Sequence, residues 1–255
     1  MSDLELEWEE TFAGDELDPA RWLPWYLPQW SSRDRAAARY TLGGGVLRLR
    51  VDDDQPPWCP EWDGETRVSS LQTGVFAGPL GSTVGQHRFH PAAVVREEQE
   101  ERRLYTPRYG RVDVVVRFSD DPAVMGALWL IGFEDEPERS GELCVCEVFG
   151  RDVEPRRALV GMGIHPFGDP TLVDDFEQVA VALDVREAHE YAVEWEPGRA
   201  RFLVDGAVVK EGAQAPAYPL QLMLGLYEFR TTPEPSGRYP KELVVERVRG
   251  YRLRG

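Results

Sequence analysis

The chain has 255 residues, 42% of them hydrophobic and 29% charged, which is enough apolar material for a large core and excludes a disordered polymer. Acidic residues outnumber basic ones 45 to 29, giving a formal charge of −16. Such a surface repels phosphate backbones and anionic lipid, so no nucleic-acid or membrane partner is expected, while a neutral partner such as a sugar is not disfavoured.

In chain order, the acidic opening from Met1 to Glu10 lacks the basic and apolar regions of a secretory leader. No run reaches the ~18 apolar residues of a membrane-spanning helix, and a cytoplasmic, reduced location is expected. Arg21 to Arg39 reads as irregular, with Trp22, Trp25, Tyr26 and Trp30 set among prolines. Six of the eight tryptophans precede residue 63, so these rings either seal the core or line a groove where flat apolar faces stack on sugars; Trp30 is taken as a sugar-contact candidate. Gly45–Val51 alternates as a strand does. Residues 74–103 then form a second long irregular stretch, carrying His87, His90 and the mixed charge run Arg96–Arg103, which reads as a solvated loop face.

Further strands are expected over Arg111–Phe118, Ala127–Ile131, Glu142–Phe149, Val179–Leu183, Glu190–Trp195, Ala200–Val204, Leu220–Leu226 and Leu243–Leu253. Asp205-Gly206 between two such runs is a hairpin turn signal, because the tight turn needs positive φ at both positions. No stretch of 12 or more residues holds a helical period, and 24 glycines and 20 prolines break the chain every few residues. Many short strands without a composition shift or internal repeat predict one all-β domain over residues 1–255, a sandwich or jelly roll of two antiparallel sheets.

The chemistry concentrates in Gly141-Glu142-Leu143-Cys144-Val145-Cys146-Glu147-Val148-Phe149-Gly150. In a regular strand Glu142, Cys144 and Cys146 share a face and Glu147 points away. Only a β-bulge, adding one residue, returns Glu147 to the face of Glu142. Two glutamates pointing into a core cost several kcal/mol each. Facing an open cleft, they form the pair that glycoside hydrolysis requires, a nucleophile and a proton donor. The three cysteines, Cys59, Cys144 and Cys146, do not make a disulfide framework, and the spacing of Cys144 and Cys146 is not that of a metal site.

The chain resembles glycoside hydrolase family 16, the laminarinase, lichenase and agarase group, over nearly its whole length. Trp8-Glu9-Glu10-Thr11-Phe12 with Leu17-Asp18-Pro19-Ala20-Arg21-Trp22 is similar to that family's opening, and Gly44-Gly45-Val46-Leu47-Arg48-Leu49 to its next strand. Arg108-Tyr109-Gly110-Arg111-Val112-Asp113 and Ala127-Leu128-Trp129-Leu130-Ile131-Gly132 resemble two central segments, and Glu142 to Glu147 falls on the bulged E-x-D-x-x-E signature. His189 to Trp195, Phe202 to Gly206 and Glu242 to Leu253 resemble the closing strands.

The resemblance implies a concave carbohydrate cleft, with Glu142 as nucleophile and Glu147 as acid/base of a retaining, endo-acting hydrolase or transglycosylase on a β-linked glycan. It implies substrate contacts from Trp129 and His165, with Trp30 and Arg111 as further candidates, and an oligosaccharide or polysaccharide as the binding partner. No cofactor is required; a structural calcium near Glu246 is the one metal it suggests. The signature's central Asp is Cys144 here. A neutral thiol removes one negative charge beside Glu142, which is expected to let both glutamates ionise more readily. The alternative reading is therefore a carbohydrate-binding protein with the family cleft and impaired catalysis. The loop at 74–103 is expected to close one end of the cleft.

Overall fold

The computed structural model describes residues 4–230 and 237–254. Its first strands are β1 (Leu4–Glu10), β2 (Arg39–Gly43), β3 (Val46–Val51), β4 (Arg67–Gln72), β5 (Gly74–Val75) and β6 (Arg102–Arg103). The central ones are β7 (Gly110–Arg117), β8 (Val124–Gly132), β9 (Glu142–Phe149), β10 (Val153–Glu154), β11 (Arg157–His165) and β12 (Glu177–Val181). The last are β13 (His189–Glu196), β14 (Arg199–Val204), β15 (Ala207–Gly212), β16 (Leu220–Glu228) and β17 (Lys241–Leu253). Two one-turn helices, α1 (Arg33–Ala36) and α2 (Pro60–Asp63), sit in loops.

Two large antiparallel sheets make up the sandwich, and β5 and β6 pair as a separate two-stranded ribbon. The outer sheet runs β15-β14-β13-β7-β17-β3-β2, with β1 also paired to β17; the inner sheet runs β10-β11-β9-β8-β16-β4, with β12 paired to β11. Alternation explains the division of side chains along β8: Val124, Leu128 and Leu130 join the core between the sheets, whereas Met125, Ala127, Trp129 and Ile131 point to the opposite face. The expected hairpin is present: Asp205 and Gly206 have φ 46° and 77° and join β14 to β15.

A second, smaller core covers part of that opposite face. Leu27, Trp30, Trp58, Cys59, Ala93 and Val95 come from the two long irregular stretches and the segment around α2, and pack on Val68 of β4 and on Met223 and Tyr227 of β16. Trp30 is 0% exposed and its indole N–H donates to the Gln86 carbonyl at 2.9 Å. It is a core residue and not a sugar contact, because no face of the ring reaches solvent. Arg111 also departs from expectation. It lies on β7 of the outer sheet and pairs with Asp113, Glu190 and Glu194, so its guanidinium is committed on the sheet away from the cleft.

Candidate active site

The register of β9 places the two glutamates. Against β8, Leu128 pairs with Cys146 and Trp129 with Cys144, so Val145 is an extra residue in β9. The β11 side shows the same irregularity between Gly161, paired with Glu147, and Gly163, paired with Cys144. Through the bulge, Leu143, Val145, Cys146 and Val148 all enter the core between the sheets. Glu142, Cys144 and Glu147 line one cleft of about 360 Å³. The flat-strand expectation that Cys146 shares the face of Glu142 is thereby corrected.

Glu142 is 8% exposed, and burial together with the charge of Glu147 pushes its carboxyl up to about 8. Burial also raises Glu147, opposed by His165 and Arg151 nearby. Desolvation by the sheet is the largest cause at both carboxyls, so both lie above the ordinary carboxylate range even with a neutral thiol between them. Cys144 is 2% exposed and its thiol donates to the Gly161 carbonyl at 3.7 Å. Burial and then both glutamates raise it well above an ordinary thiol, so it stays neutral and is no nucleophile.

Trp129 and His165 both line this cleft. Trp129 lies across from Cys144 on β8. His165 ends β11 beside Glu142; its Nδ1 lies 3.1 Å from Asp174 and its ring stacks on Phe176 at 4.6 Å. Loop residues that the motifs did not single out as site residues complete the walls. His87 meets Trp129 and Phe167 edge-on at 5.3 and 5.0 Å, and its backbone N–H donates to Glu134 at 2.5 Å. Burial and the neighbouring His165 lower His87 to about 4, so it is a neutral imidazole. His87, Glu134 and Phe167 all have positive φ, at 48°, 54° and 44°, a backbone cost on the order of 1 kcal/mol each held in place by this wall.

Tyr227 reaches the floor from β16. A Cβ on Gly225 would lie 2.7 Å from the Tyr227 ring, so glycine there is what lets the ring lie over the sheet. Its hydroxyl is raised by burial and by the charges of Glu142 and Glu147, which places it beside the pair. Tyr26, Trp58, Asp63, Thr66 and Phe89 close the far side of the cleft. No spacing rule marks these residues in sequence, because loops and a distant strand bring them together.

Glu246 does not fit a calcium site. Arg117 donates twice to one of its carboxylate oxygens, and among the described residues no group of three His, Cys, Asp or Glu side chains is arranged to hold a metal ion.

The family model described as Glycosyl hydrolases family 16 matches residues 104–242, just over half the chain. Among solved structures, the chain is similar to the GlcNAcα1-4Gal releasing endo-β-galactosidase from Clostridium perfringens, with 24% identity and a TM-score of 0.85. That match covers 98% of this chain and 63% of the clostridial one, so the chain spans less than two thirds of that enzyme's length. It is similar to the laminarinase from Rhodothermus marinus at 18% identity and TM-score 0.65, covering 100% of both chains. It is also similar to the endo-β-1,3-glucanase from Pyrococcus furiosus at 16% identity and TM-score 0.65, covering 100% of this chain and 96% of that one. No curated protein matches the sequence. The β-sandwich of these structures is the fold described above, and the chain belongs to the glycosyl hydrolases of family 16.

Proposed function

We propose that this protein cleaves a β-linked glycan with retention of configuration, Glu142 acting as nucleophile and Glu147 as acid/base. The observation that carries this reading is the Val145 bulge, which brings two otherwise opposed carboxylates onto one cleft face. Trp129 and His165 flank the pair and are assigned to substrate contact. The glycans named for similar enzymes, a β-galactoside and β-1,3-glucans, define the first substrates to test.

In the first half-reaction the Glu142 carboxylate attacks the anomeric carbon, the bond to the leaving oxygen breaks, and Glu147 gives that oxygen its proton. In the second, water or a sugar hydroxyl attacks the same carbon, Glu147 takes its proton, and the bond to Glu142 breaks. The free pair holds Glu142 up at about 8, so the productive state needs the shared proton on Glu147. A bound sugar favours that arrangement. Hydroxyls donating to Glu142 stabilise its anion, and the glycosidic oxygen beside Glu147 accepts from its acid form. Cys144 takes no part in proton transfer and serves as a neutral spacer between the two.

The test is release of reducing ends from β-1,3-glucan, β-galactan and GlcNAcα1-4Gal-capped β-galactosides by wild type, Glu142→Gln and Glu147→Gln. Cleavage by wild type that falls at least a thousand-fold in Glu142→Gln is the expected result. Binding of one glycan with no cleavage by the wild type would overturn it in favour of a carbohydrate-binding protein.

A further inference from the structure

His165 is held from outside the cleft. Its Nδ1 lies 3.1 Å from one carboxylate oxygen of Asp174, and its ring stacks on Phe176. The other Asp174 oxygen accepts the Phe176 backbone N–H at 3.1 Å, so the two oxygens have separate partners. Phe176 can lie against β11 because glycine stands there: a Cβ on Gly161 would be 2.5 Å from its ring. The backbone on both sides of Asp174 is anchored. Gln214 exchanges two hydrogen bonds with the Val173 backbone, at 2.9 and 2.8 Å. Lys210 of β15, itself buried, pairs with Asp175 at 2.9 Å and Glu177 at 3.3 Å, and the Asp175 N–H donates to the Ile164 carbonyl at 2.9 Å.

This arrangement fixes a proton. The Phe176 N–H and then His165 hold the Asp174 carboxyl below its ordinary range, so it is ionised and can only accept. A neutral imidazole has one N–H and one bare nitrogen, and the hydrogen bond made by one nitrogen sets the state of the other. Nδ1 therefore carries the proton, and Nε2, on the far side of the ring from Asp174, is bare. His165 lines the cleft with Glu142 and Glu147, whereas Asp174 does not, so the bare nitrogen is the one turned toward the pair.

The bare nitrogen is the negative end of the ring dipole. Beside Glu147 it favours the protonated carboxyl, the form that protonates the leaving oxygen, whereas an N–H there would favour the anion. A positive His165 also favours the anion and lowers Glu147; the neutral ring held in this way does not. The other titratable groups nearby are Glu142 on the adjoining strand and the neutral His87, while Arg151 acts on Glu147 from the end of β9.

We propose that Asp174 is a positioning residue: it holds neutral His165 as the Nδ1–H tautomer, so that the cleft beside Glu147 meets a hydrogen-bond acceptor and not a donor. This deepens the glycosidase reading, and its kinetic part rests on that reading.

Asp174→Asn tests it at nearly constant shape. The amide oxygen stays on the Phe176 N–H, the amide NH2 turns to Nδ1, and the tautomer reverses. The ring nitrogens are read by nitrogen-15 NMR of histidine-labelled protein at about pH 8.5, above the ordinary histidine range. The chain has four histidines, and the signals lost in His165→Gln assign the ring. Wild type is expected to show Nδ1 protonated and Nε2 bare, and Asp174→Asn the opposite. A proton on Nε2 in wild type, or the same tautomer in both proteins, would overturn the proposal with no substrate involved. On the glycan that wild type cleaves, the basic limb of kcat/KM is expected to lie about half to one pH unit lower in Asp174→Asn, a loss of roughly three- to tenfold on its alkaline side. The shift is expected to vanish in a His165→Gln background. A shift that persists there would show the Asp174 charge acting on Glu147 directly and contradict the proposal. Reversed tautomers with an unmoved limb would reject the effect on Glu147. No turnover by wild type rejects the glycosidase reading and the kinetic part with it, while the NMR result still decides the state of His165.

Discussion

At the residue scale, burial is the largest influence on the state of the two glutamates. Glu142 is pushed up to about 8, with desolvation first and the Glu147 charge second. A carboxyl whose folded pKa lies above its unfolded value stabilises the fold fully below the unfolded value, near 4.5, and loses that contribution as pH rises through about 8. Glu142→Gln mimics the neutral form. It is expected to leave thermal stability nearly unchanged at pH 4 and to exceed wild type at pH 9 by on the order of 3 kcal/mol, read from urea unfolding at both pH values. A variant no more stable than wild type at pH 9 would show that Glu142 is not desolvated.

The same coupling predicts a kinetic shift. Glu147→Gln removes the charge that raises Glu142, so the acidic limb of kcat/KM on an activated aryl glycoside moves to lower pH. Because burial is the larger cause and remains, the limb stays above the ordinary carboxylate range. A limb that moves to higher pH would contradict the proximity of the two groups. The Glu142–Cys144–Glu147 spacing was legible in the sequence; the raised pKa values were not, because they arise first from burial, which depends on loops and strands distant in sequence closing around the pair.

At the scale of elements, one extra residue in β9 decides whether a pair of carboxylates exists. The need for a bulge follows from simple alternation: Glu147 lies five positions after Glu142, an odd number, and a flat strand sends them to opposite faces. What alternation leaves open is where the bulge falls, and the structure puts it at Val145, so that Cys146 joins Val145 in the core. Inserting one alanine after Val145, with the single bulge kept, shifts the following residues by one and drives one glutamate into the core. The insertion is expected to abolish cleavage and to lower stability by several kcal/mol, measured as reducing-end release and urea midpoint. Retained activity would mean that the register adapts elsewhere.

Strands with clean alternation, such as β7, β13 and β17, were legible from their apolar period. The neighbour of the active strand was not: Gly161 and Gly163 interrupt the pattern of β11. Yet Gly163 is required there, with φ 139° and the Asp175 carbonyl 2.2 Å from where a Cβ would stand. β4 escaped for a different reason. Arg67–Gln72 is buried along its whole length, so it shows no polar face to alternate with.

At the scale of the molecule, two apolar cores divide the work. The core between the sheets holds the sandwich together, and the smaller one, built from loops, narrows the concave face to a short cleft. The all-β class and the presence of two long loops were readable from the spacing of strands, glycines and prolines. The roles of individual aromatics were not: Trp30 and Trp129 are alike in sequence, and only the packing of the loops buries one completely and leaves the other lining the cleft. Arg111 shows the same limit, since a motif position carries no information about which sheet its side chain faces.

The most direct test of the central claim is to trap the glycosyl-enzyme. Glu147→Gln, incubated with an aryl β-glycoside whose leaving group needs no proton, should still form the ester but lack the base for its hydrolysis. Intact mass spectrometry is expected to find one added glycosyl group, with peptide mapping placing it on Glu142 and no adduct when Glu142→Gln is combined with Glu147→Gln. Product of inverted anomeric configuration with no trapped species, or an adduct on any other residue, would contradict it.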